Sequence, residues 1–308
     1  MLGRWLLPVL VAALCAFVAV GFVGVDRYAR NYWLYRGFPP PSDPAYVTQR
    51  GSVEQIKVTS SALGGRSQSV YVYLPPGYSD HPNERYPVLY LLHGFPGRPL
   101  AFLLTVRMGV VEDELVARHR AQPLILVMPF GSTGTFTDKE WANGIGTAEG
   151  WGTFVWRDVV HAIDARYRTI STPDARGIAG LSEGGYGAVN IALRHPHEFS
   201  LVESWSGYER AADNHSIFGR QLEGLALNSP LDRIHATART LRHTQTYFWF
   251  YSGTDDPLRL QNREFAAALS AARIPHAYLE LHGGHNWALW RGMAARSYLV
   301  AARRLANA

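Results

Sequence analysis

The sequence predicts an α/β fold in which a mostly parallel sheet is covered by helices on both faces. Two observations support this prediction. Short apolar runs, typical of strands buried on both faces, alternate along the chain with segments whose apolar residues follow helical spacing. Glycine-containing polar loops follow several of these runs, and α/β proteins place functional groups on such loops at the carboxyl ends of parallel strands. A chain of 308 residues is long enough for one large domain of this kind.

The first 45 residues differ from the rest in composition. Residues 1–4 are short and basic, and residues 5–25 contain no charged side chain. A helix over those 21 residues would match the ~30 Å apolar layer of a membrane, so we expect one uncleaved transmembrane helix as an anchor in the cell membrane. A cleaved signal peptide and secretion are the alternative. Residues 26–45 predict an aromatic and proline-rich linker, and residues 46–308 an extracytoplasmic folded domain.

The strands are assigned from short apolar or alternating runs bounded by turn residues. The first alternates as an edge strand, whereas the third is apolar throughout, as expected of a strand covered on both faces. Strands are predicted at residues 52–60, 68–74, 86–92, 124–128, 177–181, 201–205, 247–251 and 277–281.

The helices are assigned from apolar residues at helical spacing, most clearly in residues 153–167, which are amphipathic. Helices are predicted at residues 110–118, 153–167, 185–194, 262–272 and 287–305. The resulting alternation of strands and helices is the basis of the predicted parallel sheet.

Residues 180–184, Gly-Leu-Ser-Glu-Gly, have the G-x-S-x-G form of a nucleophile elbow. In such a turn between a strand and a helix, the flanking glycines allow neighbouring backbone to pass close by. The turn exposes the Ser182 hydroxyl at the end of the strand. It also directs the N–H of Glu183, at the start of the helix, to the place where an oxyanion would form. A glycine-rich turn with an incidental serine is the alternative interpretation.

The loop after residues 86–92 begins His93-Gly94-Phe95. In an α/β-hydrolase the loop after this strand supplies the second oxyanion donor, and we assign that role to the backbone N–H of Phe95. The His93 side chain is expected to be structural.

Two further loops complete a serine-hydrolase set. Asp255 and Asp256 follow the strand at 247–251, and Asp256 is preferred as the acid that orients a histidine. His285 follows the strand at 277–281 and is the expected general base. The order Ser182, Asp256, His285 is the one that α/β-hydrolases use. A metal site formed by His282 and His285 would lack a third ligand at any recognisable spacing.

Composition argues against several other classes of protein. Only two of the 30 basic residues are lysines, and the arginines are scattered among acids, so no basic run supports a nucleic-acid partner. Cys15 is the single cysteine, which excludes an intramolecular disulfide and a thiolate metal site. We therefore expect the charged side chains that give the net charge of +5 to lie on the solvated surface.

Together, these segments resemble the putative-esterase family of α/β-hydrolases, which includes S-formylglutathione hydrolases, feruloyl esterases and secreted mycolyltransferases. The matching segments are residues 72–78, 86–94, 180–188, 253–256 and 284–285. The resemblance implies an esterase fold, no cofactor, and a triad of Ser182, Asp256 and His285. The sequence departs from the family pattern at Trp151-Gly152-Thr153-Phe154, because Gly152 stands where the family has an acidic residue.

The two longest loops are expected to shape the substrate pocket. Residues 131–150 predict a pocket wall, with Trp141 and Trp151 as candidate pocket residues, and residues 208–246 predict a lid. Ordinary surface loop is the alternative for both. Oligomeric state has no signature in the sequence.

The sequence therefore predicts a serine carboxylic-ester hydrolase that acts through an acyl-enzyme on a small-molecule or lipid ester. One alternative is an acyltransferase that moves the acyl group to a sugar or lipid alcohol. An alternative of another class is a catalytically inactive, membrane-tethered binding protein, which would be expected to lack a triad member.

Overall fold

The structure is a computed structural model that describes residues 3–28, 44–134, 137, 139–144, 149–211, 215–219 and 221–305. Most of the predicted linker, residues 29–43, lies outside the described residues, as do parts of the two loops at 131–150 and 208–246. Helix α1, Gly3–Tyr28, is followed from residue 44 by the predicted α/β unit.

Eight strands form one sheet, and their bounds agree closely with the sequence prediction. They are β1 Ser52–Ser60, β2 Arg66–Leu74, β3 Val88–Leu92, β4 Ile125–Pro129, β5 Arg176–Leu181, β6 Leu201–Trp205, β7 Tyr247–Gly253 and β8 His276–Leu281. Their order is β1-β2-β4-β3-β5-β6-β7-β8. Strand β2 pairs antiparallel with β1 and β4, and every later pair is parallel.

Helices cover both faces of this sheet. They are α2 Met108–Ala117, α3 Trp151–Thr153, α4 Val160–Arg166, α5 Glu183–Arg194, α6 His215–Phe218, α7 Leu222–Leu227, α8 Pro230–His243, α9 Arg259–Ala271 and α10 Trp287–Leu305, with π-helical turns at Phe102–Val106 and Phe154–Val159. The side chains of α4, α5, α8 and α9 share one apolar cluster, and those of α2 and α10 share the other. The predicted α/β architecture is therefore confirmed.

Strand β3 shows why the central strands are apolar throughout. Val88, Tyr90 and Leu92 belong to the first cluster, whereas Leu89 and Leu91 belong to the second. Because successive side chains point to opposite faces, a strand covered on both sides has no solvent-facing position.

The structure adds three features to the predicted elements. Helix α5 begins at Glu183, two residues earlier than predicted, and the predicted helix at 153–167 is interrupted by a π-helical segment. The insertion between β6 and β7 contains α6, α7 and α8, none of which was predicted.

Among the residues that the structure describes, no helix is both long and apolar enough to cross a membrane. The predicted transmembrane anchor at residues 5–25 is therefore not supported.

Candidate active site

Ser182 lies in a sharp turn between β5, which ends at Leu181, and α5, which begins at Glu183. Its backbone has φ 55° and ψ −122°, a conformation that non-glycine residues rarely adopt. The Ser182 N–H donates to the carbonyl oxygen of Trp205 at 2.9 Å. This bond ties the strained turn to the carboxyl end of the neighbouring strand β6.

The two glycines of the pentapeptide are required by close backbone contacts. A Cβ atom at position 184 would lie 1.9 Å from the carbonyl oxygen of Leu92, and one at position 180 would lie 2.1 Å from the carbonyl oxygen of Gly184. Both distances are far below a van der Waals contact, so only glycine fits there. The turn is thus built by packing as well as by its own dihedral angles.

His285 and Asp256 reach this serine from the ends of two other strands. His285 Nε2 lies 2.8 Å from Ser182 Oγ, and His285 Nδ1 lies 3.1 Å from Asp256 Oδ2. The structure therefore joins the three predicted residues by hydrogen bonds, although 103 residues separate Ser182 from His285.

The carboxylate of Asp256 is buried and bonded on both oxygens, since Oδ1 accepts the backbone N–H of Leu258 at 2.9 Å. Burial raises the pKa of Asp256, but the hydrogen bond and charge of His285, with the N–H of Leu258, outweigh it and hold the pKa below its ordinary value. Asp256 is therefore ionised at neutral pH. Asp255, the other candidate, has an exposed side chain.

The loop that carries Phe95 lies directly against Ser182. A Cβ atom at Gly94 would lie 3.0 Å from Ser182 Cβ. His93 supports this loop: its Nδ1 bonds the carbonyl oxygen of Gly94 at 3.0 Å, and its Nε2 accepts the N–H of Gly131 at 3.1 Å. Burial lowers the pKa of His93 to about 4, so the ring is neutral and holds the loop through hydrogen bonds alone.

The predicted pocket residue Trp141 is fully buried. Its indole N–H donates to the carbonyl oxygen of His93 at 2.9 Å, and its ring fills space left by two glycines. A Cβ atom at Gly131 would lie 2.3 Å from the indole, and one at Gly187 would lie 2.5 Å from Trp141 Cβ. The side chain therefore locks the Phe95 loop to α5 and offers no surface to a substrate in this structure.

Trp151, the other predicted pocket residue, is also buried, in the first apolar cluster beside Phe154. The nearby Asn143 side chain accepts the N–H of Thr153 at 3.0 Å and donates to the Thr153 hydroxyl at 2.9 Å. A Cβ atom at Gly152 would lie 3.2 Å from Asn143 Oδ1, so the departure from the family pattern occurs where a side chain would be crowded.

Two supporting residues escaped the sequence analysis. The ring of Trp290 stands edge-on to the His285 ring with centroids 5.0 Å apart, and the Trp205 carbonyl holds the Ser182 N–H. The sequence could have indicated the contact of Trp290 with His285, because Trp290 lies one turn into the helix that follows His285.

The described residues contain no group of three or more His, Cys, Asp and Glu side chains that could hold a metal ion. A metal at His282 and His285 would therefore have no third ligand of this kind among them. The hydrogen bonds of His285 to Ser182 and Asp256 leave the arrangement suited to moving a proton between a hydroxyl and an imidazole.

Comparison with known proteins places this geometry in context. A family model described as "Putative esterase" matches residues 60–296. The chain is 34% identical over 160 residues to an endo-1,4-beta-xylanase/feruloyl esterase of Xylanibacter ruminicola, over 51% of this chain and 22% of that protein. It is 24% identical over 259 residues to the diacylglycerol acyltransferase/mycolyltransferase Ag85A of Mycobacterium leprae, over 76% of this chain and 72% of that protein.

A solved ferulic acid esterase matches 82% of this chain and 99% of its own, with 26% identity and a TM-score of 0.74. This match confirms the predicted α/β-hydrolase-like fold. The chain spans only 22% to 59% of the length of the first curated relatives that it matches.

Proposed function

Because the chain belongs to the family described as "Putative esterase", we propose that it is a serine hydrolase of carboxylic esters that acts through an acyl-enzyme. The observation that carries the proposal is the pair of hydrogen bonds that links Ser182, His285 and Asp256, at 2.8 and 3.1 Å. The proposal is supported by these two distances, because a nucleophile, its base and an orienting acid must lie within hydrogen-bonding reach of one another.

In the first step, Ser182 Oγ attacks the ester carbonyl and forms the C–O bond of a tetrahedral intermediate, while His285 Nε2 takes the hydroxyl proton. Asp256 accepts the Nδ1–H of His285, fixes the tautomer and stabilises the imidazolium. His285 then gives the proton to the leaving alcohol oxygen as the acyl C–O bond of the ester breaks. In the second step, His285 deprotonates water, which attacks the acyl-enzyme and releases the acid and free Ser182.

The developing oxyanion is held by the backbone N–H groups of Glu183 and Phe95. The support for this assignment is that Glu183 opens helix α5 and that Phe95 follows Gly94, which packs against Ser182. Each donor of this kind contributes about 3 kcal/mol of transition-state stabilisation in comparable sites.

Acyl transfer to an alcohol is the second candidate, because the acyltransferase Ag85A of Mycobacterium leprae is among the relatives. The two functions share the acyl-enzyme and differ in whether water or an alcohol attacks it. Product analysis with and without an added sugar alcohol separates them: a new acylated sugar alcohol would favour the transferase, and free acid alone would favour the hydrolase.

The first test of the proposal is Ser182→Ala. We expect kcat for a p-nitrophenyl ester to fall about 10⁶-fold and labelling by a fluorophosphonate to disappear, with the unfolding midpoint retained. An inactive binding protein with this fold would show neither activity nor labelling before the substitution. Ester hydrolysis at the wild-type rate by Ser182→Ala would refute the mechanism.

The proposed location is outside the cytoplasm. Its support is the order of the first residues, in which the basic residues 1–4 precede 21 uncharged residues, as in segments that direct export. Intact cells that express the protein should then hydrolyse an ester that does not cross the membrane. Hydrolysis seen only after lysis would count against this location.

A further inference from the structure

A groove lies where Phe130 follows the end of β4, on the side of β5 opposite to the strands that precede Asp256 and His285. It is lined by Ser69, Tyr71, Arg98, Pro99, Leu100 and Phe130 and has a volume of about 220 Å³. A second depression of about 200 Å³ shares Arg98 and Leu100 with it and continues along the π-helical turn to Leu104. We call the first depression the Phe130 groove.

The wall of the Phe130 groove is fixed to the loop that touches the nucleophile. The Phe130 ring lies 5.7 Å from the His93 ring, and the next residue, Gly131, donates its N–H to His93. His93 in turn precedes Gly94, which packs against Ser182. The groove and the proposed oxyanion loop are therefore linked through the His93 side chain.

The order of strands puts this groove and the proposed proton-transfer groups on opposite sides of Ser182. Strands β3, β4 and β2 lie on one side of β5, and β6, β7 and β8 lie on the other. Asp256 follows β7 and His285 follows β8, whereas Phe130 follows β4 and Tyr71 lies on β2. The sheet thus separates an acid–base side from a groove side.

Chemistry then decides which half of an ester faces the groove. His285 must lie close to the alcohol oxygen in order to protonate it, so the alcohol half occupies the acid–base side. The carbonyl oxygen points to the N–H groups of Glu183 and Phe95. On the other side of Ser182, toward β3, β4 and β2, the Phe130 groove offers the acyl substituent an apolar surface.

We propose that the Phe130 groove binds the acyl part of the substrate and that this part is an apolar chain of about six to eight carbons. This inference rests on the proposed function. The lining fits such a chain, because Tyr71, Pro99, Leu100 and Phe130 supply apolar surface and Arg98 lies exposed. A methylene group is close in volume to a water molecule, at about 30 Å³, so 220 Å³ holds about seven of them.

The test compares p-nitrophenyl esters from acetate to decanoate. For the wild-type protein, kcat/KM should rise by up to about fourfold for each added methylene, the factor expected for full burial, and level off near octanoate. Leu100→Trp fills the groove and should lower the ratio of kcat/KM for octanoate to that for acetate at least tenfold. Leu100→Ala tests the same contact from the opposite direction, since it should lower this ratio a few-fold with little risk to folding.

Val53→Trp is the matched control, because Val53 is half exposed on β1 and outside the groove lining. It should keep both the activity and the wild-type ratio. An unchanged ratio in Leu100→Trp and Leu100→Ala would overturn the groove assignment while leaving the esterase proposal intact. Acetate esters of alcohols of graded length provide a second check: sensitivity of Leu100→Trp to the alcohol chain in place of the acyl chain would also overturn it.

A wild-type protein that hydrolyses no ester at all would instead refute the proposed function, and the groove assignment with it. The two failures are therefore distinguishable.

Discussion

Asp256 and Asp255 are adjacent in sequence, yet only one of them meets His285. The Asp256 carboxylate is buried and accepts bonds from His285 and from the Leu258 N–H, whereas the Asp255 side chain is exposed. The motif register favoured Asp256 in the sequence. Residue type alone could not decide which aspartate orients His285, because the two side chains are chemically identical. The direction of each side chain depends on how the loop after β7 turns.

We therefore predict opposite outcomes for the two carboxylates. Asp256→Asn replaces an acceptor of the His285 Nδ1–H with a group that can donate, so the histidine loses its productive tautomer. We expect kcat to fall about 10⁴-fold with the fold retained.

Asp255→Asn removes one charge at an exposed position and is the matched control, with an expected kcat within about twofold of the wild type. Steady-state kinetics on one p-nitrophenyl ester measures both variants. Equal losses in the two variants, or a loss confined to Asp255→Asn, would contradict the assignment.

At the scale of elements, the turn from β5 to α5 is held by close backbone contacts. The sequence motif indicated a turn, but it could not reveal that Gly184 touches the carbonyl oxygen of Leu92 at the end of β3. That contact depends on the parallel pairing of β3 with β5, in which Leu92 lies beside Gly180. The glycine is needed because two distant strands meet there.

We predict that Gly184→Ala shifts this turn and lowers both stability and activity. Because the new methyl group would meet backbone atoms at 1.9 Å, the strand or the helix must move. We expect a loss of about 3 kcal/mol in the free energy of unfolding and a fall in kcat of at least about 100-fold from the displaced Ser182. Urea unfolding and ester hydrolysis are the measurements.

Gly292→Ala is the matched control, because Gly292 lies exposed in α10 and a Cβ atom there meets nothing within 4 Å. That variant should gain about 0.5–1 kcal/mol, since alanine favours the helix. A wild-type turnover rate in Gly184→Ala would show that the turn is less rigid than the contact implies.

The tryptophans show where element-level reasoning from sequence failed. Trp141 and Trp151 lie in or beside a long loop, which suggested a pocket wall, yet both are buried and pack inside the fold. An aromatic residue in a loop can line a pocket or pack inside the fold. For Trp141, burial is possible because Gly131 and Gly187 leave room for its side chain.

At the scale of the whole molecule, the second apolar cluster encloses a carboxyl group. Glu203 on β6 is fully buried and accepts the Trp205 indole N–H at 3.0 Å and the Ser297 hydroxyl of α10. Tyr251, on the neighbouring strand β7, is an ionisable group that interacts with Glu203. Burial and the charge of Glu203 both raise the pKa of Tyr251. Burial raises the pKa of Glu203 to about 8, against the lowering effect of its two hydrogen bonds.

This shift predicts how the stability of the fold depends on pH. Between pH 4.5 and about 8 the folded protein keeps the Glu203 proton that the unfolded chain loses. The contribution of Glu203 to stability is therefore complete below pH 4.5 and decreases as the pH rises toward 8. Within this window the slope approaches about 1.4 kcal/mol per pH unit.

Glu203→Gln keeps the shape of the neutral carboxyl group and cannot ionise. The free energy of unfolding of this variant, minus that of the wild type, should therefore become more favourable to the variant between pH 5 and pH 8. Urea unfolding at both pH values measures the difference, and the comparison cancels the effect of other buried carboxyl groups such as Glu112 and Glu209, whose pKa values burial also raises. A difference that does not change with pH would contradict the prediction.

The sequence by itself predicted the α/β class, all eight strands, the family, Ser182 and His285 of the proposed triad, and a choice between two adjacent aspartates for its acid. It could do so because strand burial, glycine-rich turns and catalytic residue types leave local patterns in the chain. Only the tertiary structure decided that Asp256 and not Asp255 faces His285, that Trp141 and Trp151 are packed inside, and that the Phe130 groove lies on the side of β5 opposite to the strands that precede Asp256 and His285. Each of these depends on which distant segments become neighbours, and strand order and side-chain burial are properties of the folded sheet that no local stretch of sequence contains.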